Sequence, residues 1–264
     1  MSNITITHAD SGLVHASVVR TERISPSFVR VTLGGPDLER FEYRGFDQWF
    51  RLAIPVDDGS ALDSMPDRVD TRGYLRYLML PKNTRPVIRN YTLRAFRQDP
   101  LEIDIDFVVH GTAGVAGPWA QTVQPGAPLA FIDQGLGWKP VAADSYLLVA
   151  DETGLPAVVG ILRDLPRDAV GHAVIEISDA ADAQPVDAPA GMTVHWVVRT
   201  DGGYGQRAAA TAKSLALTST PYVYVVGESS LATGIRRWAV GELGIPKTNV
   251  TFCGYWKLGK RAGT

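Results

Sequence analysis

At Gly135-Leu136-Gly137 and Lys139-Pro140 the hydrophobic pattern of the chain changes period, and that change constrains the fold more than any other feature. Before it, apolar residues recur at every second position in short runs. In FVRVTLGG, Val29, Val31 and Leu33 share one face, with Phe28, Arg30 and Thr32 on the other. In LEIDIDF, Leu101, Ile103, Ile105 and Phe107 alternate strictly with Glu102, Asp104 and Asp106, the pattern of an antiparallel sheet with one wet face. Turns at Gly34-Gly35-Pro36, Asp57-Asp58-Gly59 and Pro125-Gly126 separate these runs, and no long amphipathic helix pattern precedes about residue 120. Residues 1–137 therefore read as one all-β, antiparallel barrel domain. After the change, apolar SYLLVA is followed by GLPAVVGILRDLP, in which Leu155, Val158, Val159, Leu162 and Leu165 recur at helical spacing. The alternation continues through HAVIEIS, TVHWVVR, YGQRAAATAKSLAL, PYVYVV, SLATGIRRWAVGELG and NVTFCGYW. Residues 138–264 thus read as an α/β domain, a parallel sheet covered by crossover helices.

Composition narrows the function classes. The 264 residues suit two modest domains, and a formal charge of −2 gives no global basic field to hold a nucleic acid backbone. Cys253 is the one cysteine, which excludes an internal disulfide, a CxxC pair and a cysteine-held iron–sulfur cluster within one chain, so redox chemistry needs a borrowed cofactor. His8, His15, His172 and His195 have no metal-site spacing, and no HExxH or GxSxG motif accompanies them. No bound metal is expected. The opening MSNITITHAD shows no basic region followed by an apolar run, and no later stretch approaches the eighteen or so apolar residues of a membrane span, so a cytoplasmic protein is expected.

The densest chemistry is Arg89-Asn90-Tyr91-Thr92-Leu93-Arg94. An arginine fork binds phosphate at two points, a tyrosine ring stacks on a flat heterocycle, and a threonine hydroxyl bonds a ring nitrogen. These are the needs of a flavin nucleotide. In a regular strand Arg89 and Tyr91 project to one side and Thr92 to the other, so a shared ligand calls for a twist or bulge. The plain alternative is an edge strand with surface arginines and a core tyrosine. Downstream, DFVVHGTAGVAGPWA places small residues Gly114, Ala116 and Gly117 where backbone amides can approach an anion at a helix N-terminus.

Arg89, Tyr91, Thr92 and Arg94 match the RxYTxR motif of the siderophore-interacting protein family, which the chain resembles over roughly residues 12–259. His110, Gly111, Gly117, Pro118, Trp119 and Ala120 look like that family's second stretch, and VADETGLPAV and the closing VVGESSLATGIRRW…GYWKLG look like further hallmarks. The resemblance implies a ferredoxin-reductase-like architecture, an FAD-binding barrel followed by a nucleotide-binding α/β domain. It also implies roles: Arg89 on the FAD diphosphate, Tyr91 on the isoalloxazine, Thr92 near its reactive edge. His110, Gly111, Gly114, Val115, Ala116 and Trp119 complete the cofactor set. The implied reaction passes electrons through FAD to iron(III) held by a siderophore, releasing iron(II).

The electron donor, NADPH, NADH or a ferredoxin, is left open by the sequence. Asp151-Glu152-Thr153-Gly154 stands at the strand-to-helix turn where related reductases carry glycines; its carboxylates either cap the helix or repel a pyrophosphate, while Thr153 is a nicotinamide-site candidate. Arg199 follows a strand end that often recognises the adenosine ribose and can hold a 2′-phosphate, although a solvated loop arginine explains it too. The ending Gly254-Tyr255-Trp256-Lys257-Leu258-Gly259-Lys260-Arg261 gathers cations near aromatics, and resemblance places Trp256 and Lys257 at the ferric siderophore. Two other readings stay open: a general NAD(P)H:flavin or ferredoxin-type oxidoreductase, and a siderophore-binding protein without turnover.

Overall fold

The computed structural model describes residues 2–7, 10–56, 61–68, 70–109, 114–139, 143–200, 203–217 and 219–259. The chain divides into two compact units. One is built from residues 6–44 and 48–136, the other from residues 2–5, 45–47 and the described residues from 137 onward.

The first unit is a seven-stranded antiparallel sheet. Its strands are β1 (Leu13–Ser25), β2 (Phe28–Gly34), β3 (Trp49–Ile54), β4 (Val87–Thr92), β5 (Ala95–Gln98), β6 (Leu101–Val108) and β7 (Pro128–Asp133), in the spatial order β4-β3-β7-β1-β2-β6-β5. The two outermost strands, β4 and β5, are consecutive in the chain. Leu93 and Arg94 join them, with the Leu93 amide bonded to Gln48 and the Arg94 amide to Asp104, so the sheet closes into a barrel. Val29, Val31, Leu33, Ile103, Ile105 and Phe107 point into its core, as the alternation requires, alongside Leu52, Leu129 and Phe131.

The opposite face of β6 is not wet. Glu102, Asp104 and Asp106 are buried beneath arginines from three other strands and the β4–β5 junction. Arg20 and Arg97 bond Glu102, Arg97 forks onto Asp104 at 2.7 Å, and Arg30 reaches Asp106 at 2.7 and 2.9 Å with Arg94 at 3.3 Å. Burial alone would raise the Asp104 pKa, yet the Arg97 and Thr32 hydrogen bonds hold it below the usual carboxylate range. Two helices interrupt the strands. α1 (Thr71–Met79), which sequence reasoning passed over, is capped by Asp70 accepting the Gly73 amide; α2 (Ala116–Thr122) buries Ala116 and Ala120 in the barrel core.

The second unit is a five-stranded, all-parallel sheet: β8 (Tyr146–Ala150), β9 (Val170–Ile177), β10 (Gly191–Val198), β11 (Tyr222–Glu228) and β12 (Val250–Trp256), in the order β10-β9-β8-β11-β12. The crossovers carry α3 (Leu155–Asp164), α4 (Gln206–Ser214) and α5 (Ser229–Gly241), whereas β9 and β10 are joined with only a 3-10 turn at Ala180–Asp182. α4 and α5 bury Ala208, Ala212, Leu231, Ile235 and Trp238 against Leu147, Val149, Val174, Val223 and Val225. Strand order reverses between β8 and β11, the place where open parallel sheets receive ligands at their carboxyl ends.

Residues 45–47 are an integral part of this unit. The buried Asp47 carboxylate accepts the Gly137 and Trp138 amides at 3.0 and 2.8 Å and the Tyr224 hydroxyl at 2.7 Å. Gly160 is required beside them, because a Cβ there would lie 2.1 Å from the Phe46 carbonyl oxygen. Among the described residues no helix is long and apolar enough to cross a membrane.

Candidate functional sites in the two units

In the barrel, β4 pairs with β3 in unbroken register, Leu52 opposite Arg89, Phe50 opposite Tyr91 and Trp49 opposite Thr92. No bulge intervenes, so Arg89 and Tyr91 share one face and Thr92 takes the other. The Tyr91 ring packs 4.3 Å from Phe107, which is 5.6 Å from Trp119, uniting β4, β6 and α2 in one aromatic cluster. Tyr91 is half-buried, and burial pushes its phenol far up, so it remains an O–H donor. Arg89, also half-buried, donates to the Ile88 carbonyl at 2.7 Å. Thr92 is buried.

The motif's second arginine, Arg94, belongs to the ion-pair face of the barrel through Asp106. Val115 is exposed, while Gly114 adopts φ +87 with open space where a side chain would be, so conformation rather than crowding calls for glycine. His110 and Gly111 lie outside the described residues. A half-buried ring backed by two more rings, with a guanidinium two residues before it on the same face, fits a flavin and its phosphates. Phe107, which orders Tyr91 and Trp119, carried no functional signal beyond its place in an alternating strand.

At the carboxyl end of the parallel sheet two carboxylates organise the turns. Asp151, fully buried, accepts the Thr153 amide and hydroxyl at 2.9 and 2.6 Å, the Glu228 amide at 2.7 Å and the Trp256 indole N–H at 2.9 Å. Burial, followed by the neighbouring Glu152 charge, raises its pKa to about 6 against the pull of those donors. Glu152, equally buried, takes Arg199 at 2.8 and 2.7 Å; Arg199 also donates to Ser178 and stacks 4.1 Å over the Tyr204 ring. Tyr204 in turn meets Trp256 edge-on at 4.7 Å.

Thr153, Arg199 and Trp256 are thus drawn together by Asp151 and Glu152, neither of which stands as a bare charge. The adjoining chain is tied down as well: Ser229 donates to the Trp256 carbonyl at 2.7 Å and the Leu258 amide to Glu228 at 3.2 Å, leaving Lys257 exposed between them. Sequence reasoning passed over Glu176, Tyr204 and Glu228. The two acids had a signal, a carboxylate within the last two residues of an otherwise largely apolar strand in HAVIEIS and YVYVVGE; Glu176 accepts the Gly205 amide at 2.6 Å and the Arg207 and Ala208 amides at 3.1 Å each, capping α4.

His172 and His195, distant in sequence, meet at 3.2 Å on adjacent strands. Among the described residues no group of three or more His, Cys, Asp or Glu side chains is placed to hold a metal.

Residues 17–136 match the model of the siderophore-interacting FAD-binding domain, and residues 143–259 that of the siderophore-interacting protein. The chain belongs to the siderophore-interacting protein family. It is 30% identical to the ferric vibriobactin reductase ViuB of Vibrio cholerae, across 92% of this chain and 88% of that protein. It is likewise 30% identical to the NADPH-dependent ferric-chelate reductase of Escherichia coli, across 91% of each. The crystal structure of a siderophore utilization protein from T. fusca superposes with a TM-score of 0.80 at 30% identity, covering 97% of both chains. A ferredoxin-NADP+ reductase from Plasmodium falciparum, at 11% identity and a TM-score of 0.62 over 96% of this chain and all of that one, shares the fold. The architecture is accordingly ferredoxin-reductase-like in fold, an FAD-binding barrel followed by a parallel-sheet α/β domain.

Proposed function

We propose that this chain is an FAD-dependent ferric-siderophore reductase that works in the cytoplasm and draws electrons from NADPH or NADH. The observation that carries the reading is the Tyr91–Phe107–Trp119 cluster with Arg89 on the same face of β4, inside the segment matching an FAD-binding domain. The names of the Vibrio and Escherichia relatives support the acceptor, and the second supports NADPH.

Bound FAD supplies the step from two-electron donor to one-electron acceptor. Arg89 pairs with its diphosphate and Tyr91 stacks on the ring system from one face of β4, while Thr92, on the other face where the strand ends at the Leu93-Arg94 junction, bonds near the reactive edge. His110, Gly111, Gly114, Val115, Ala116 and Trp119 line the cofactor. Thr153 and Arg199 belong to the nicotinamide side, and Trp256 and Lys257 receive the ferric siderophore. Siderophore oxygens are hard donors that hold iron(II) far less tightly than iron(III), so reduction releases the metal and requires no protein ligand to take it.

The test is anaerobic turnover of the FAD-loaded protein with NADPH and a ferric siderophore, trapping iron(II) with a chromogenic chelator. Iron(II) formed at the rate of flavin reoxidation supports the reading. Flavin reduced by NADPH without iron(II) would make the protein a general flavin oxidoreductase, and a preparation unable to retain flavin would make it a siderophore carrier. Ferredoxin in place of NADPH is the second donor to assay.

A further inference from the structure

In an open parallel sheet a dinucleotide lies across the point where strand order reverses, with its diphosphate on the amides of the adjoining strand-to-helix turns. Here that point falls between β8 and β11, and the turns are Asp151–Gly154 and Gly227–Ser229. One amide from each turn, Thr153 and Glu228, is already spent on Asp151, together with the Trp256 indole arriving from β12. The carboxylate has no exposed surface. Gly227 turns at φ +123 directly against it, so that a Cβ there would lie 2.6 Å from the carboxylate. The Ser230 amide, next along α5, is taken by Glu228.

We infer that Asp151 is the chain's own anion at the diphosphate position of this unit, a specificity-determining residue that leaves a nucleotide's second phosphate without a backbone grip. The inference rests on the reading of this unit as the nicotinamide-binding one. A dinucleotide is then held by its adenosine and nicotinamide ends, and the unit does not distinguish adenine nucleotides that differ only in the number of their 5′-phosphates.

Calorimetric titration of FAD-loaded protein with AMP and with ADP, magnesium-free, tests this, since the bound flavin already fills its own adenine site. For the natural chain the two dissociation constants agree within about twofold. Asp151→Ser, which frees four donors, makes ADP bind roughly tenfold tighter than AMP, the effect of one regained charge-assisted contact. Trp256→Phe, which removes the indole donor but keeps the carboxylate, leaves AMP and ADP equal. A tenfold preference for ADP in the natural chain overturns the inference, and needs no variant to fold. So does a folded Asp151→Ser protein that binds AMP and ADP equally, or a Trp256→Phe protein that acquires the ADP preference. If neither nucleotide binds either the natural chain or Asp151→Ser and NADPH fails to reduce the flavin, the dinucleotide reading itself falls, and the inference with it; iron(II) release driven by a chemically reduced flavin would still stand apart from that result.

Discussion

One nitrogen of the Arg199 guanidinium lies 2.8 and 2.7 Å from the two oxygens of Glu152, while the group's plane rests on the Tyr204 ring. Burial works against the charge of Arg199, and the Glu152 hydrogen bond and charge more than restore it. An arginine so paired must leave its carboxylate before it can fork onto a 2′-phosphate.

Glu152→Gln should therefore raise the preference for NADPH over NADH by roughly tenfold, equivalent to about 1.4 kcal/mol. Stopped-flow flavin reduction by each donor measures it, and an unchanged ratio removes Arg199 from the 2′-phosphate site. Losing the ionic partner at a fully buried position costs on the order of 1–3 kcal/mol of stability.

Asp151 makes the fold pH-sensitive with a definite sign. Its pKa rises from 3.8 to about 6 on folding, so between those values the folded state holds more protons than the unfolded chain. Stability from this group is greatest below about pH 4 and falls as pH rises to about 6, by about 3 kcal/mol in all. Asp104 and Asp164, whose pKa values are lowered, oppose it in the raw curve. The comparison that isolates Asp151 is denaturant unfolding of the natural chain against Asp151→Asn from pH 4 to 7. The stability of the variant relative to the natural chain should improve by about 2 kcal/mol across that window.

Both layers of this fold were legible where periodicity speaks. Ile103, Ile105 and Phe107 point inward as their alternation requires, and each apolar run after residue 140 is a strand or helix of the parallel sheet. What alternation cannot disclose is what comes to lie on a polar face. Glu102, Asp104 and Asp106 looked solvated, but beside the nearby Arg97 and Arg94 they take Arg20, Thr32 and Arg30 from 82, 72 and 76 residues away in sequence. In the site, the opposite sides of Tyr91 and Thr92 followed from the strand period, whereas the meeting of Asp151 with Trp256 joins positions 105 residues apart. α1 escaped because it spans only nine residues, although Tyr74, Leu75, Tyr77 and Leu78 recur there at helical spacing.

That hidden lattice separates two arginine contacts by magnitude. Asp106→Asn leaves Arg30 and Arg94, whose side chains are 25% and 15% exposed, beside a neutral amide, a loss of about 3–5 kcal/mol. Arg20→Ala removes a side chain that is 51% exposed and should cost about 1 kcal/mol or less. Urea midpoints of the two variants check the contrast, and equal midpoints would refute it.

Arg89→Ala should weaken FAD retention more than any other single change on β4, because a charge-assisted fork to phosphate is lost while the half-buried side chain supports little packing. Dialysis followed by the visible spectrum measures it. Full flavin content in the folded variant would take Arg89 off the diphosphate.

Lys257 offers a test of acceptor recognition that leaves the flavin aside. It stands exposed between Trp256, whose carbonyl is held by Ser229, and Leu258, whose amide is held by Glu228, so its backbone is fixed while its ammonium is free to meet a ligand. Ferric complexes of catecholate or carboxylate siderophores carry negative charge, and a positive group on a fixed backbone raises their local concentration, an effect that salt screens over about 10 Å at 0.1 M. Lys257→Glu reverses the sign at one exposed point and disturbs no buried contact. The affinity for an anionic ferric siderophore should fall roughly tenfold at low salt and less at high salt, with FAD content and unfolding midpoint unchanged. A neutral ferric hydroxamate should lose at most about twofold. Equal affinities of variant and natural chain for both complexes would place the acceptor away from Lys257.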